Sequence, residues 1–335
     1  MSQHFLLSAQ ARSLSIRQIF ALTDQAAFEL FKQSRWGGGD PGCPRCGVSD
    51  KHYFGKSRRQ WRCTACGHTF SVTSGTIFAN HKLPLRIYLA AIAIYCNAVK
   101  GLSALQLSRD LDVQYKTAFV LSHKLRESLL AQRDDAPLDG EVEVDGAYVN
   151  GHVRPENKKA DRIDRRLAEN QNPDKRCVLV FRSRGVKGNG GKRSLTFVAK
   201  SENQAGTIKL AAEYVAAGTS MFADESSAYD PLHGMFPTQR VNHQIEYRAE
   251  NGANTNAAES FFSRFRRMQY GQMHKFGTLY LDNYANEAAY REDNRRMSNG
   301  EMFGDIMTKC AATRASRDFC GYWQGNKRDG ERLVS

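Results

Sequence analysis

Two C-x-x-C pairs separated by sixteen residues, Cys43 and Cys46 in CPRC and Cys63 and Cys66 in CTAC, constrain this chain more than any other feature. Tight knuckles of this kind, joined by a short ribbon, present four thiolates to one tetrahedral Zn²⁺. Glycine follows each pair, at Gly47 and Gly67, and lets the backbone turn back so that its amides face the sulfurs. The intervening KHYFGKSRRQWR alternates aromatic with basic side chains, as a two-stranded hairpin does. The expected element is a zinc ribbon with structural Zn²⁺ on Cys43, Cys46, Cys63 and Cys66. Four thiolates leave no open position for a reacting water, so this metal is not a hydrolytic one.

The remaining composition narrows the partner. A net charge of +13 over 335 residues favours a polyanion over an acidic protein. The charge is uneven: residues 154–193 hold thirteen Lys/Arg against five Asp/Glu. No run of about eighteen apolar residues occurs that would span a bilayer. The longest apolar stretch, IYLAAIAIYCNAV at 87–99, is too short and too close to charges. The N-terminal MSQHFLLSAQARSLSIRQIF carries no signal-peptide cleavage pattern. Cys96, Cys177, Cys310 and Cys320 show no disulfide framework. Zinc thiolates must stay reduced, so the expected setting is a reducing cytoplasm without membrane contact.

Residues 1–36 are expected to form an N-terminal helical segment, with Ile16, Ile19, Phe20, Phe28, Leu30 and Phe31 at its apolar positions. GGGDPG at 37–42 breaks it, and the ribbon falls within 37–80. Residues 81–135 carry a helix through the apolar stretch and then GLSALQLSRDLDVQYKTAFVLSHKLRESLL at 101–130. There Ser103 suits the N-cap of a short helix whose apolar face is Leu105, Leu107 and Leu111. A turn near Asp110 leads to a second helix, with Ala118, Phe119, Leu121, Leu125 and Leu129 inside and Tyr115, Lys116, Ser122, His123 and Lys124 outside. Two helices with a short turn suit a helix-turn-helix that places its second helix in the major groove. A purely structural helical hairpin is the alternative.

Residues 136–300 change character. EVEVDGAYV (141–149), RCVLVFRSR (176–184) and SLTFVAK (194–200) read as strands, and TIKLAAEYVAA (207–217) as a helix. SMFAD (220–224) and TQRVNH (238–243) are further strands, and a helix begins at Thr255. Three meandering strands, a helix and further strands alternating with helices make an α/β, RNase H-like mixed sheet with flanking helices. No G-x-G-x-x-G or P-loop follows a strand, which sets nucleotide-driven chemistry aside. Residues 301–335 are expected as a C-terminal helix and tail, with GYWQGNKRDGERLVS loose.

Three acids fall where such a sheet gathers them: Asp145 in the first strand, Asp224 at the tip of the fourth, and Glu259 in the helix after the fifth. Oxygen-rich clusters bind Mg²⁺, and two such ions about 4 Å apart serve phosphoryl transfer. Glu225 and Asn256 are alternatives for the third ligand. Arg266 follows Glu259 by seven residues, two helical turns on along the same face, where a cation can hold a DNA phosphate. Arg264 and Arg267 flank it, and Phe261, Phe262 and Phe265 take the core side.

With these residues together, the chain resembles the DDE-type insertion-sequence transposases of the zinc-ribbon, ISXO-like class. The resemblance rests on CPRCG…WRCTACGHTFSVTSGTIF, the helix-turn-helix segment, VDGAYVNG, FADESSAYD, NTNAAESFFSRFRRM and YLDNYANEAAYREDNRR, and covers nearly the whole length. It implies an RNase H-like catalytic domain that cuts DNA at transposon ends and joins the freed 3′-hydroxyls to target DNA. Asp145, Asp224 and Glu259 would be its metal triad, with Mg²⁺ or Mn²⁺ as two catalytic ions. The family often has a second acid directly after the first aspartate, where this chain has Gly146. Some relatives use asparagine as third member, which keeps Asn256 as a fallback.

The expected partner is double-stranded DNA, both transposon ends and target, engaged by a homo-oligomer in a bacterial, nucleoid-associated cytoplasm. Lys116, His123 and Lys124 are candidate groove residues, and Arg58, Arg59 and Arg62 are candidates on the ribbon. The alternatives are a non-catalytic DNA-binding regulator descended from a transposase, and a nuclease that cuts without joining.

Overall fold

In the computed structural model, which describes residues 5–165, 167–186, 190–242 and 254–334, the first helices start where the sequence caps them. The Ser15 hydroxyl accepts from the Arg17 amide to open α1 (Ile16–Phe20), and Thr23 accepts from the Ala26 amide to open α2 (Asp24–Trp36). Gly37, at φ 59°, closes α2 in the left-handed conformation that glycine adopts without strain. The ribbon follows as β1 (His52–Gly55), β2 (Gln60–Cys63) and β3 (Thr69–Phe70), antiparallel in that order. Its small core is aromatic. Trp61 stacks on Phe28 of α2 at 5.6 Å and on Phe70 at 5.7 Å, with Trp36 edge-on at 5.3 Å.

The helix α3 (Leu85–Asn97) is buried on every side from Tyr88 to Cys96, which marks a core helix. Among the described residues no helix is long and apolar enough to cross a membrane. α4 (Ala104–Asp110) and α5 (Tyr115–Ala131) form the expected helical pair, capped by Ser103 and turned at Asp112 with φ 51°. Leu107 and Leu111 are buried, but Leu105 is exposed. Residues two apart on a helix differ by about 200° in direction, so Leu105 and Leu107 cannot share a face.

Ser122 and His123 are also corrected: both are buried, not outside. The cause lies two hundred residues away in sequence, where the segment after a C-terminal helix (Asn299–Ala312) folds over α5. His123 stacks on Phe319 at 4.9 Å and sits 4.4 Å from Phe119, which in turn meets Tyr322 at 5.3 Å. The Trp323 indole donates to the Lys116 carbonyl at 3.2 Å.

These elements belong to one compact unit, Met1–Arg133 with Asn294–Asp329; the other is Asp134–Asp293 with Gly330–Ser335. The expected 301–335 segment is therefore divided between the two. Expected residues Arg166, Lys187 and His243 lie outside the described residues.

The second unit is built on a five-stranded sheet. β4 (Glu141–Val149), β5 (Arg176–Arg184) and β6 (Gly191–Ala199) form an antiparallel meander, then α6 (Gln204–Tyr214) crosses to β7 (Ser220–Ala223) and β8 (Thr238–Arg240). The order is β6-β5-β4-β7-β8, with β4, β7 and β8 mutually parallel. This is the RNase H-like arrangement, and β4 is its centre. Val142, Val144, Leu179 and Phe181 pack toward Leu210 and Ala211 of α6. The alternate residues Ala147, Val149, Val178 and Val180 pack toward α7 (Asn256–Met268) and α8 (Leu281–Asp293) through Phe261, Phe265 and Ala285. The sheet is thus covered on both faces, as its near-continuous apolar strands require.

The tail expected to be loose is docked. Glu331 holds Arg176 through two hydrogen bonds of 2.6 Å, and the Val334 amide donates to the Val198 carbonyl at 2.8 Å. Leu333 and Val334 pad the two core layers, so the chain end covers the β6 edge, which unprotected strands leave open to mispairing. Truncation after Asp329 should lower the unfolding midpoint of this unit by roughly 2–6 °C, the equivalent of about 1–2 kcal/mol. An unchanged midpoint in calorimetry would remove the tail from the fold.

Candidate active site

The parallel register of β4 and β7 sets Val144 opposite Ala223. Asp145 and Asp224 are each the next residue, so two acids arrive side by side at neighbouring strand positions, where strands lie about 4.8 Å apart. Asp145 is half-buried, its Oδ1 accepting from the Gly146 amide at 2.7 Å, and Asp224 Oδ1 accepts from the Ser226 amide at 2.9 Å. Burial, then the charge of Asp224, pushes the Asp145 carboxyl up to about 7; Glu202 and Glu259 push the same way against the Gly146 amide. The structure therefore brings Asp224 and Glu259 within electrostatic reach of Asp145, together with Glu202, an acid the sequence reading missed. Among the described residues only the four ribbon cysteines gather closely enough to hold a metal ion as the side chains stand.

Glu259 is exposed on α7, and what aims that helix is Glu143. Strand alternation puts Glu143 on the same face of β4 as Asp145. Its carboxylate, 1% exposed, accepts from the Ala257 and Ala258 amides at 2.7 and 2.9 Å, capping α7 one residue before Glu259. Arg184 completes the clasp, donating to Glu143 Oε1 at 2.7 Å and to the Asn254 carbonyl at 2.6 Å. The fully buried Arg182 donates to the Ala257 carbonyl at 2.9 Å and pairs with Glu292 at 3.2 Å. Glu143 was legible only as one of the polar alternation of β4. That it caps a helix more than a hundred residues on was not.

The predicted cations fall into three groups. Arg266 and Arg267 are exposed on α7 about two turns beyond Glu259, whereas Arg264 is paired with Glu292. In the other unit Arg58 and Arg62 are exposed on the ribbon hairpin and Arg59 is half-buried. Lys116 is exposed with its ammonium 5.1 Å from the Trp323 ring, and Lys124 is half-buried. His123 does not fit a groove contact: it is 1% exposed, and burial with Arg126 and Arg328 nearby holds its pKa well below the usual imidazole value, so it is neutral.

The four ribbon cysteines converge. Cys43 and Cys66 sulfurs are 3.7 Å apart, Cys46 and Cys63 sulfurs 3.6 Å, and all four lie within 4.8 Å of one another. Tetrahedral ligation at about 2.3 Å sets sulfurs about 3.8 Å apart, so the set fits structural Zn²⁺. Gly47 and Gly67, at φ 77° and 71°, donate back to the Cys43 and Cys63 carbonyls.

Two stretches of the chain match known domain families. Residues 137–293 match the family described as ISXO2-like transposase domain. The chain carries an ISXO2-like transposase domain. Residues 22–69 match the transposase zinc-ribbon domain, so the matched transposase domain holds the β4–β7 acids and the matched ribbon holds the cysteines. The chain is 28% identical over 254 residues, 73% of its length and 83% of the relative's, to an uncharacterized protein in transposable element ISH50 of Halobacterium salinarum.

Two consequences can be measured. Glu143→Ala leaves Arg184 and the first amides of α7 without their carboxylate and should cost about 3–5 kcal/mol in denaturant unfolding; a loss under about 1 kcal/mol would remove the clasp from the stability of the domain. Without added divalent metal, the folded state holds the Asp145 proton up to about pH 7 while the unfolded chain releases it near 3.8, the ordinary value for an aspartate. Stability therefore falls as pH rises through that window. Asp145→Asn removes this loss, so its melting temperature should exceed the parent's by an amount that grows up to about pH 7 and levels at roughly 10 °C, the equivalent of about 4 kcal/mol.

Proposed function

We propose that the chain is the DNA transposase of an insertion sequence: it binds terminal inverted repeats, cleaves strands at the element ends and transfers the 3′-hydroxyl to target DNA. The reading is supported by the match of residues 137–293 to the ISXO2-like transposase domain and by the five-stranded sheet whose central register puts Asp145 and Asp224 on neighbouring chain segments. Asp145, Asp224 and Glu259 would hold Mg²⁺ or Mn²⁺. When bound, such ions stabilise the attacking and leaving oxygens of an in-line phosphoryl transfer.

The chain's own residues do the rest. The clasp of Glu143 and Arg184 fixes α7, and the exposed Arg266 and Arg267 on that helix hold DNA phosphate beside the acids. Arg58, Arg59 and Arg62 on the zinc ribbon, with Lys116 and Lys124 on α5, provide salt-sensitive backbone contacts that position the element end. Pairing two ends requires more than one copy of the chain on DNA. A cytoplasmic, nucleoid-bound setting follows from the reduced thiolates and the polyanion partner.

Asp224→Ala should abolish cleavage of an inverted-repeat duplex, a loss of at least about a thousandfold, while end binding by gel shift changes less than about threefold. Retained cleavage would remove Asp224 from the reaction. A pre-cut 3′ end supplied to the parent protein should join to target DNA; cutting without joining would make it a nuclease.

A further inference from the structure

The face of α5 that carries Lys116, Phe119 and His123 is covered by a strap, residues 316–328 of the same unit, running antiparallel to the helix. The Ser316 hydroxyl donates to Glu127 at 2.6 Å, Phe319 stacks on His123, and Trp323 reaches Lys116. On α5 only Tyr115, Lys116 and the terminal Ala131 remain exposed. The helix therefore cannot lie lengthwise in a groove; its first turn is what can meet a duplex. Beside that turn the strap builds a rigid loop. Gly321 and Gly325, at φ 76° and 102°, bound a short helix, Tyr322–Gln324. The Asn326 side chain locks it, donating to the Arg317 and Cys320 carbonyls at 2.8 and 2.5 Å. Trp323 and Tyr115, 45% and 49% exposed, both meet the Phe119 ring, at 5.9 and 6.2 Å.

We propose that this loop and the first turn of α5 form one contact surface for duplex DNA. Lys116 and Lys327 hold phosphates and Trp323 packs on the sugar edge; this rests on the DNA-binding part of the transposase reading. The Lys116 ammonium lies 5.1 Å from the Trp323 ring and the Lys327 ammonium 5.2 Å from the Tyr322 ring. Among the described residues neither ammonium meets a carboxylate. A cation held over a ring keeps its charge for an anion that arrives. Residues 313–328 hold four Lys/Arg against one acid, Asp318, whose carboxylate is taken by Arg328 at 2.9 Å. The indole N–H is the one polar group of Trp323 and is spent on the Lys116 carbonyl. What the ring offers a partner is apolar surface, and water leaves that surface when deoxyribose covers it. A loop already fixed by two left-handed glycines and Asn326 loses little freedom on binding.

The test is a fluorescence-anisotropy titration of a labelled mixed-sequence DNA duplex with the full-length, zinc-loaded protein across a range of salt. Lys327→Gln should weaken binding about threefold and lower the slope of log affinity against log salt by about one. Its melting temperature should stay within about 2 °C of the parent's, as for other exposed positions. Trp323→Ala should weaken binding about fivefold at an unchanged slope, because the ring carries no charge. Duplex binding should also quench the parent's tryptophan emission, and Trp323→Phe, which leaves Trp36 and Trp61, should lose most of that quench. Arg62→Gln on the ribbon, measured beside them, reports on DNA binding without the strap. Parental affinity and slope in both strap variants, with a defect in Arg62→Gln, overturns the strap surface and leaves the DNA-binding reading standing. Parental values in all three, or no duplex bound by the parent, overturns both. Loss of self-association by Trp323→Ala in gel filtration, at parental DNA affinity, makes the loop a contact between copies and overturns the DNA surface.

Discussion

One buried carboxylate, Glu143, ties the strand that carries Asp145 to the helix that carries Glu259. Its charge is removed from water and is compensated by Arg184 and by two amides at the positive end of α7. Because the clasp is anchored in the central strand of a sheet covered on both faces, the direction of α7 is set by rigid elements. Sites held on strands and helices keep their geometry better than sites held on loops. Arg182 adds a second tether from the same strand as Arg184, reaching the first turn of α7 and Glu292 of α8.

The clasp works against repulsion. Burial first, and then the charge of Asp224 with smaller contributions from Glu202 and Glu259, raise the Asp145 carboxyl to about 7. A fold tolerates a buried, perturbed acid where the core around it supplies the stability, and here β4 is flanked by the α6 layer on one side and the α7–α8 layer on the other. Functional sites commonly concentrate perturbed acids for this reason. The ribbon meets a different difficulty, too few residues to bury a core, with a four-thiolate cluster and the stacked Trp61, Phe28 and Phe70.

Much of this was legible along the chain. The cysteine spacing located the ribbon, alternation located β4, and the caps at Ser15, Thr23 and Ser103 sit at helix starts. The acids Asp145, Asp224 and Glu259 could be chosen because strand order makes distant stretches neighbours. Positions that depend on a partner from far along the chain were misread. His123 looked like an outward groove residue until Phe319 covered it, Leu105 was assigned to a face it cannot share with Leu107, and the last residues looked loose although Glu331 grips Arg176. Glu202 was passed over because nothing local separates it from other acids at helix starts.

By itself the sequence determined what is local and periodic: the metal-binding knuckles, the alternation of the strands, the capped helices and the charge that calls for a polyanion. Only the tertiary structure decided which faces are covered and which acids share a neighbourhood. The physical reason is range. Propensity, capping and ligand spacing act over a few residues, whereas burial and the summed repulsion of Asp145, Glu202, Asp224 and Glu259 exist only once the sheet has brought those stretches together.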